Sequence, residues 1–283
     1  MKSNAEYLSV LPEVYGSQVK EQRLEALEEI RMRAGQPVIL RFSDCEIEIW
    51  PMVQPCHLEE VIQRACRHSA HLAAQTLREG YLITEGGHRI GVCGFGFSKE
   101  NELQTLRMPS SVSIRIARKI SGFANKLLPF LTSSTLIIGP PGCGKTTLLR
   151  DAVTQLSDRK NQRVGLVDER SEIAACAGGM PQLYIGKRTD VLVNVRKDSA
   201  VMMLLRTMNP QWIAVDEITA ERDILAMEQA SYCGVHMLAS AHANSTADLK
   251  NRPLYRRLLA SGIFPQAAVM SGKRTYEMEE IST

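Results

Sequence analysis

Gly139-Pro140-Pro141-Gly142-Cys143-Gly144-Lys145-Thr146 follows the pattern GxxxxGK[ST], with an apolar run from Thr135 before it and a helical run, Thr147 to Val153, behind it. Glycines let the backbone curl until successive N–H groups point inward. A helix N-terminus adds positive potential, so such a loop is suited to cradle phosphates. Lys145 supplies a charge for the β- and γ-phosphates of a nucleotide, and the Thr146 hydroxyl is placed to ligate Mg²⁺. The binding segment is expected to run from Gly139 through Thr147. Cys143 lies inside it, where the loop needs only its backbone N–H.

A second apolar run, Trp212-Ile213-Ala214-Val215, ends in Asp216-Glu217. In phosphate-loop enzymes an acid at that place holds the metal shell, and its neighbour orients or deprotonates water. Asp216 is expected to serve the metal with Thr146, mostly through water, and Glu217 the attacking water. No NKxD-type base reader follows, so the expected nucleotide is ATP and the expected activity a Mg²⁺-dependent hydrolysis. Two further apolar runs end in polar groups. One leads into Asp168-Glu169-Arg170-Ser171-Glu172, and the other, Val235 to Ser240, precedes His242.

These residues need a scaffold that brings several strand ends to one edge. Short apolar strands over Thr135–Gly139, Val164–Asp168, Asp190–Val195, Trp212–Asp216 and Val235–Ser240 alternate with helical segments. That alternation predicts an α/β fold: a RecA-like domain over residues 121–283, its parallel sheet wrapped by helices and its chemistry at the strands' C-terminal ends. Residues 1–120 predict a smaller α+β domain. It begins with a helix carrying Val19, Leu24, Leu27 and Ile30, followed by strands at Val38–Phe42 and Ile47–Trp50. A helix over Leu58–Leu77 closes at Gly80, a hairpin turns at Glu85-Gly86-Gly87, and a strand covers Ser111–Ala117. Ser121 to Asn125 is the expected connector.

Composition narrows the functional classes. The net charge is +3, from 34 basic and 31 acidic residues, and 5% of the chain is aromatic. Neither the wide basic surface nor the stacking platforms of a nucleic-acid binder are apparent, and no direct nucleic-acid partner is expected. An ATP-dependent nucleic-acid motor or loader is the alternative, with Arg252, Arg256 and Arg257 as a modest basic cluster. Seven cysteines, odd in number and without a CxxC pair, suggest reduced thiols rather than a disulfide framework. The polar start of the chain is interrupted by Pro12, and the longest charge-free stretch, between Lys126 and Lys145, is broken by prolines and serines. A cytoplasmic location is the expectation, with any membrane association made through partners.

The phosphate loop, the acids from Asp168 to Glu172, the Asp216-Glu217 pair and the His242 region, taken in that order, resemble the secretion-ATPase superfamily of type II and type IV secretion motors and pilus-retraction motors. The resemblance implies an acidic box at Asp168, Glu169 and Glu172, a Walker B stretch from Arg206 to Glu217, and a histidine box at Gly234, His236, His242 and Asn244. It implies catalytic roles for Glu169 and His242 beside Lys145 and Glu217. Asp216 stands where those motors commonly carry a glycine.

Glu29-Ile30-Arg31-Met32-Arg33-Ala34-Gly35-Gln36-Pro37, Glu79-Gly80-Tyr81, Gly87-His88-Arg89-Ile90-Gly91, Ser113-Ile114-Arg115-Ile116-Ala117-Arg118 and Val215-Asp216-Glu217-Ile218 are similar to the stage III sporulation protein AA family within that superfamily. That resemblance implies a mother-cell ATPase of an endospore former. It would be a homo-hexameric ring at the base of a secretion-like channel, with membrane-embedded channel subunits as partners. The N-terminal domain would then supply arginines to the nucleotide, for which Arg89 and Arg115 are the candidates.

Overall fold

A computed structural model describes residues 6–66, 77, 80–99, 102–118, 120–272 and 274–281. The chain divides into two compact units: Met1–Lys119 with Ala175–Leu183, and Ile120–Ala174 with Tyr184–Thr283.

In the first unit a 3₁₀ turn, Glu6–Val10, leads into helix α1, Glu13–Lys20. Strands β1 (Leu27–Arg33), β2 (Val38–Phe42) and β3 (Glu46–Ile49) follow, then α2 (Pro55–Cys66). Strands β4 (Tyr81–Ile83), β5 (Arg89–Lys99) and β6 (Glu102–Arg115) complete an antiparallel sheet of order β3-β2-β1-β6-β5-β4. Ile30, Met32, Val38, Leu40, Ile90, Val112 and Ile114 alternate onto one face and are buried there with Tyr15, Val19, Leu58 and Val61 from the helices. The hairpin turn at Glu85-Gly86-Gly87 forms as expected, with φ +78° at both glycines. Of the expected helix over Leu58–Leu77, residues 67–76 lie outside the described set.

One expectation is overturned. Val19 lies in α1, but Leu27 and Ile30 belong to strand β1. A bulge between Leu27 and Glu29 in the pairing with β2 shifts the register by one residue. Leu27 and Ile30 therefore both point inward at a three-residue spacing, which imitates a helical stripe. The strand expected at Ser111–Ala117 is real but begins earlier, at Glu102.

The second unit holds strands β7 (Thr135–Ile138) and β8 (Val164–Asp168) with helix α3 (Lys145–Arg159) between them. Two short strands, β9 (Cys176–Ala177) and β10 (Met180–Pro181), lie in the excursion that groups with the first unit. There follow β11 (Thr189–Val193), α4 (Lys197–Thr207), β12 (Trp212–Val215), α5 (Glu221–Tyr232), β13 (His236–Ala241), α6 (Thr246–Asn251) and α7 (Pro253–Ala260). Strands β14 (Gln266–Gly272) and β15 (Thr275–Glu280), which no sequence pattern announced, complete a sheet of order β11-β8-β12-β13-β7-β14-β15.

Every neighbouring pair in this sheet is parallel except β14 with β15. Helices connect the parallel strands except between β8 and β11, where β9 and β10 intervene, and every residue of β7, β8 and β12 is buried. The topology places β13 between β7 and β12. The segment leaving β13 thus falls between the loop after β7 and the acids after β12.

Candidate functional site

The turn from β7 into α3 is shaped by its glycines. Gly144 caps the helix at φ +107° and Gly142 takes φ +74°, conformations that side chains rarely adopt. A Cβ at Gly139 would come within 2.6 Å of Met270 Cβ and 2.7 Å of Cys143 Sγ, so only glycine fits beneath the loop. Cys143 is buried, and its thiol packs against the loop. The N–H groups of the first helical turn have no intrahelical acceptor. Gly142 opens onto free space, with nothing within 4 Å of a Cβ built there. Thr146 and Thr147 occupy that first turn, and both are half-buried.

Lys145 is buried and folds back over the loop. Its Nζ donates to Gly139 O and Pro140 O, each at 2.9 Å, and meets His242 Nδ1 at 2.9 Å. An ammonium only donates, so His242 accepts at Nδ1 and carries its proton on Nε2. That nitrogen lies 3.0 Å from Glu217 Oε1. Burial pushes the Lys145 ammonium below its usual range, against the upward pull of Cys143, Asp216 and Glu217.

Asp216 and Glu217 leave β12 in different directions. Thr146 Oγ1 donates to Asp216 Oδ2 at 2.9 Å. Ser240 Oγ donates to Asp216 Oδ1 at 2.5 Å and accepts from the Glu217 N–H at 2.9 Å. Glu217 takes φ +53°, a left-handed conformation that costs a non-glycine residue about 1–3 kcal/mol. The Tyr255 hydroxyl accepts from the His242 N–H at 3.2 Å and donates to Ile218 O at 3.4 Å, linking the segments after β12 and β13.

The acidic segment after β8 divides its roles. Asp168 is buried and accepts from the N–H groups of Glu172, Ile173 and Ala174 at 2.8–3.1 Å, so it shapes the turn. Burial holds its carboxyl above the ordinary range, opposed by those N–H groups and reinforced by the charge of Asp216. Arg150, from α3, clamps the same turn from its carbonyl side, donating to Ile173 O at 2.5 Å and Glu172 O at 2.6 Å. Glu169 pairs with Lys197 at the start of α4. Arg170 Nη1 stands 3.8 Å from Glu217 Oε2. One cleft is lined by Asp168, Glu169, Arg170, Glu172, Lys197, Asp216 and Glu217.

The Thr146, Asp216, Glu217, Glu169, His242 and Lys145 side chains are therefore brought to one edge of the sheet. Two residues of the expected histidine box are not. His236 opens β13 at its opposite end and stacks near Trp212, with ring centroids 4.9 Å apart, while Gly234 precedes the strand. The Asn244 backbone N–H caps onto Asp248 at 3.0 Å. In the first unit, Arg115 lies in register opposite the Glu29 carboxyl and Arg89 stacks over Tyr81 at 4.0 Å. Ser240, Tyr255, Arg150 and Lys197 carry no sequence signal, because each acts through a partner at least 13 residues away.

The donor set fits a magnesium ion. Thr146 Oγ1 can ligate the ion through a lone pair while its proton goes to Asp216 Oδ2 at 2.9 Å, and that carboxylate can accept from the ion's waters. Among the described residues no three His, Cys, Asp or Glu side chains form a ready metal cage. Mg²⁺ needs none, since it takes one or two protein ligands and fills its shell with water and phosphate.

The pilus retraction motor PilT, solved with bound ADP, superposes with a TM-score of 0.65 at 16% identity, covering 94% of this chain and 83% of that one. The ATPase DotB of Legionella pneumophila superposes with a TM-score of 0.59 at 14% identity, covering 90% and 75%. The fold is thus the RecA-like P-loop fold of the secretion ATPases, joined to a smaller α+β unit. Within that class, residues 11–278 match the family described as sporulation stage III, protein AA. Stage III sporulation protein AA of Bacillus subtilis (strain 168) is 38% identical over 279 residues, 94% of this chain and 90% of that protein. The chain belongs to this family.

Proposed function

We propose that the protein is a Mg²⁺-dependent ATPase that works as an oligomeric ring, powering or assembling a secretion-like channel during endospore formation. The observation that carries the reading is the linked set Thr146–Asp216–Ser240–Glu217–His242–Lys145, which lies at one sheet edge beside a phosphate-type loop. ATP would lie with its phosphates on the Gly139–Thr147 loop and Lys145 against the β- and γ-oxygens. A bound Mg²⁺, held by Thr146 and, mostly through water, by Asp216, would neutralise charge on the phosphates.

Glu217 would take the proton of an attacking water as its oxygen bonds to the γ-phosphorus. The bond to the β-phosphate oxygen breaks, and ADP leaves with phosphate. His242 bridges Lys145 to Glu217, so arrival of a γ-phosphate at Lys145 would be felt at the water-activating acid. Glu169, held by Lys197, would shape the charge of the cleft.

Membership of a sporulation family supports the cellular setting, and the likeness to motors such as PilT supports a ring, for which a homo-hexamer is the proposal. A mother-cell cytoplasmic location and docking on membrane-embedded channel subunits belong to the same reading. No helix among the described residues is long and apolar enough to cross a membrane. Arginines supplied by the first unit, with Arg89 and Arg115 as the candidates, belong to the same reading.

The test is ATP hydrolysis measured against protein concentration, with mass followed by light scattering. Specific activity that rises as the protein assembles supports the ring. A fully active monomer removes the motor and leaves the ATPase.

A further inference from the structure

We infer that Ser240 is the positioning residue of this site, a single buried hydroxyl that sets the metal-side and the water-side carboxylates together. The inference rests on the ATPase reading and adds to it a residue that no motif singled out.

The placement is a consequence of topology. Strand β13 runs between β7 and β12, with Ala239 in register with Val215 and Ser240 with Ile137. The next residue along β12 is Asp216, so Ser240 comes level with the acids just as the phosphate loop begins on its other side. Its neighbours Ala239 and Ala241 are small and buried, and Ser240 itself has no solvent exposure.

The direction of its bonds is fixed by what each partner can do. An ionised carboxylate only accepts and a backbone N–H only donates. The Ser240 hydroxyl must therefore receive the Glu217 N–H at 2.9 Å and give its own proton to Asp216 Oδ1 at 2.5 Å. A hydroxyl has one proton, and here it is committed. The Ser240 carbonyl also accepts the Ile218 N–H at 2.9 Å, so one residue grips the chain on both sides of Glu217.

This arrangement has two effects. With Oδ1 of Asp216 tied to Ser240, its Oδ2 is left facing Thr146 Oγ1, the pair suited to the metal. With its N–H tied, Glu217 keeps the left-handed backbone that turns its side chain toward His242. The hydroxyl thus couples the metal's carboxylate to the water's carboxylate through two hydrogen bonds.

The experiment uses the full chain and three measurements: Mg²⁺-dependent binding of a non-hydrolysable ATP analogue, steady-state ATP hydrolysis, and amide exchange at Glu217 without nucleotide. Ser240→Ala is expected to lower kcat by about 10- to 100-fold, the usual cost of losing a supporting partner, and to raise the Mg²⁺ needed for half-saturation. Analogue binding without Mg²⁺ should change little, because the loop is untouched. Exchange at Glu217 should accelerate. Ser240→Thr, which keeps the hydroxyl, should restore all three.

In a Glu217→Gln background, Ser240→Ala should still raise the Mg²⁺ needed for half-saturation but, at saturating Mg²⁺, reduce residual turnover no further. Should Ser240→Ala unfold, Ser240→Cys, a weak donor of similar size, should give an intermediate loss. Wild-type values for Mg²⁺ half-saturation and Glu217 exchange in Ser240→Ala, alongside an inactive Glu217→Gln, would overturn the inference and leave the ATPase standing. A wild-type chain that never turns over ATP would sink the ATPase reading instead, and unchanged Glu217 exchange would then sink the hydroxyl's role as well.

Discussion

The ammonium of Lys145 has three protons, and each has an acceptor before any phosphate is present: two loop carbonyls and His242 Nδ1. A phosphate oxygen must take over at least one of them. His242 is the exchangeable partner, since the carbonyls belong to the loop itself. Replacing Lys145 by alanine should abolish turnover. Glu217→Gln keeps the shape but not the basicity, so ATP should bind and persist while hydrolysis falls about 10²- to 10⁴-fold, measured by single-turnover kinetics. Normal hydrolysis by Glu217→Gln would move the water-activating role elsewhere. At this scale the sequence was informative where spacing is local. Lys145, Thr146, Asp216 and Glu217 announced themselves by contiguous motifs. Ser240 did not, because a serine between two alanines carries no pattern until the fold brings it against a partner 24 residues away in sequence.

At the scale of elements, the unit formed by β7, the loop and α3 acts as a wedge whose fit is tight. Gly139→Ala would drive a methyl into Met270 and Cys143. Overpacking of this kind should cost about 1–3 kcal/mol in urea unfolding and distort the loop amides. Unchanged stability would mean that Met270 on β14 yields more readily than its burial implies. Arg150 locks the turn after β8 to α3 through two carbonyls. Hydrogen bonds to a charged donor are worth about 1.5–3 kcal/mol each, so Arg150→Met should destabilise the second unit by a few kcal/mol and speed amide exchange at Ile173 and Ala174. Exchange unaltered there would show that Asp168 holds the turn alone. The parallel strands were legible as short apolar runs. β1 was not, because its bulge gave apolar residues a helical spacing, and β14 and β15 lie beyond the last chemical motif.

At the scale of the molecule, pH should act on the first unit through one buried histidine. His88, in the first unit, is buried, accepts the Ala117 N–H at Nδ1, and leaves Nε2 without a hydrogen-bond partner, 4.0 Å from Glu6 Oε2. Burial pushes its pKa below the ordinary 6.5, with Glu6 pulling the other way. A base with a depressed folded value is protonated more readily in the unfolded chain. Its stabilising contribution is complete above pH 6.5 and is lost as pH falls from there toward the folded value. Denaturant unfolding of the first unit should therefore weaken between neutral pH and mildly acid pH. His88→Gln, which keeps an acceptor for Ala117, should flatten that dependence, and an equally steep profile in the variant would assign it to other groups.

The proposed motor depends on whether a nucleotide's terminal phosphate and its metal lie between Thr146 and Asp216. A crystal structure with Mg²⁺ and a non-hydrolysable ATP analogue measures this directly. The expected result has the phosphates on the Gly139–Thr147 amides, Lys145 turned from His242 to the β- and γ-oxygens, and the metal about 2.0–2.1 Å from Thr146 Oγ1. Phosphates bound elsewhere, or Asp216 rotated away from an otherwise filled loop, would contradict it.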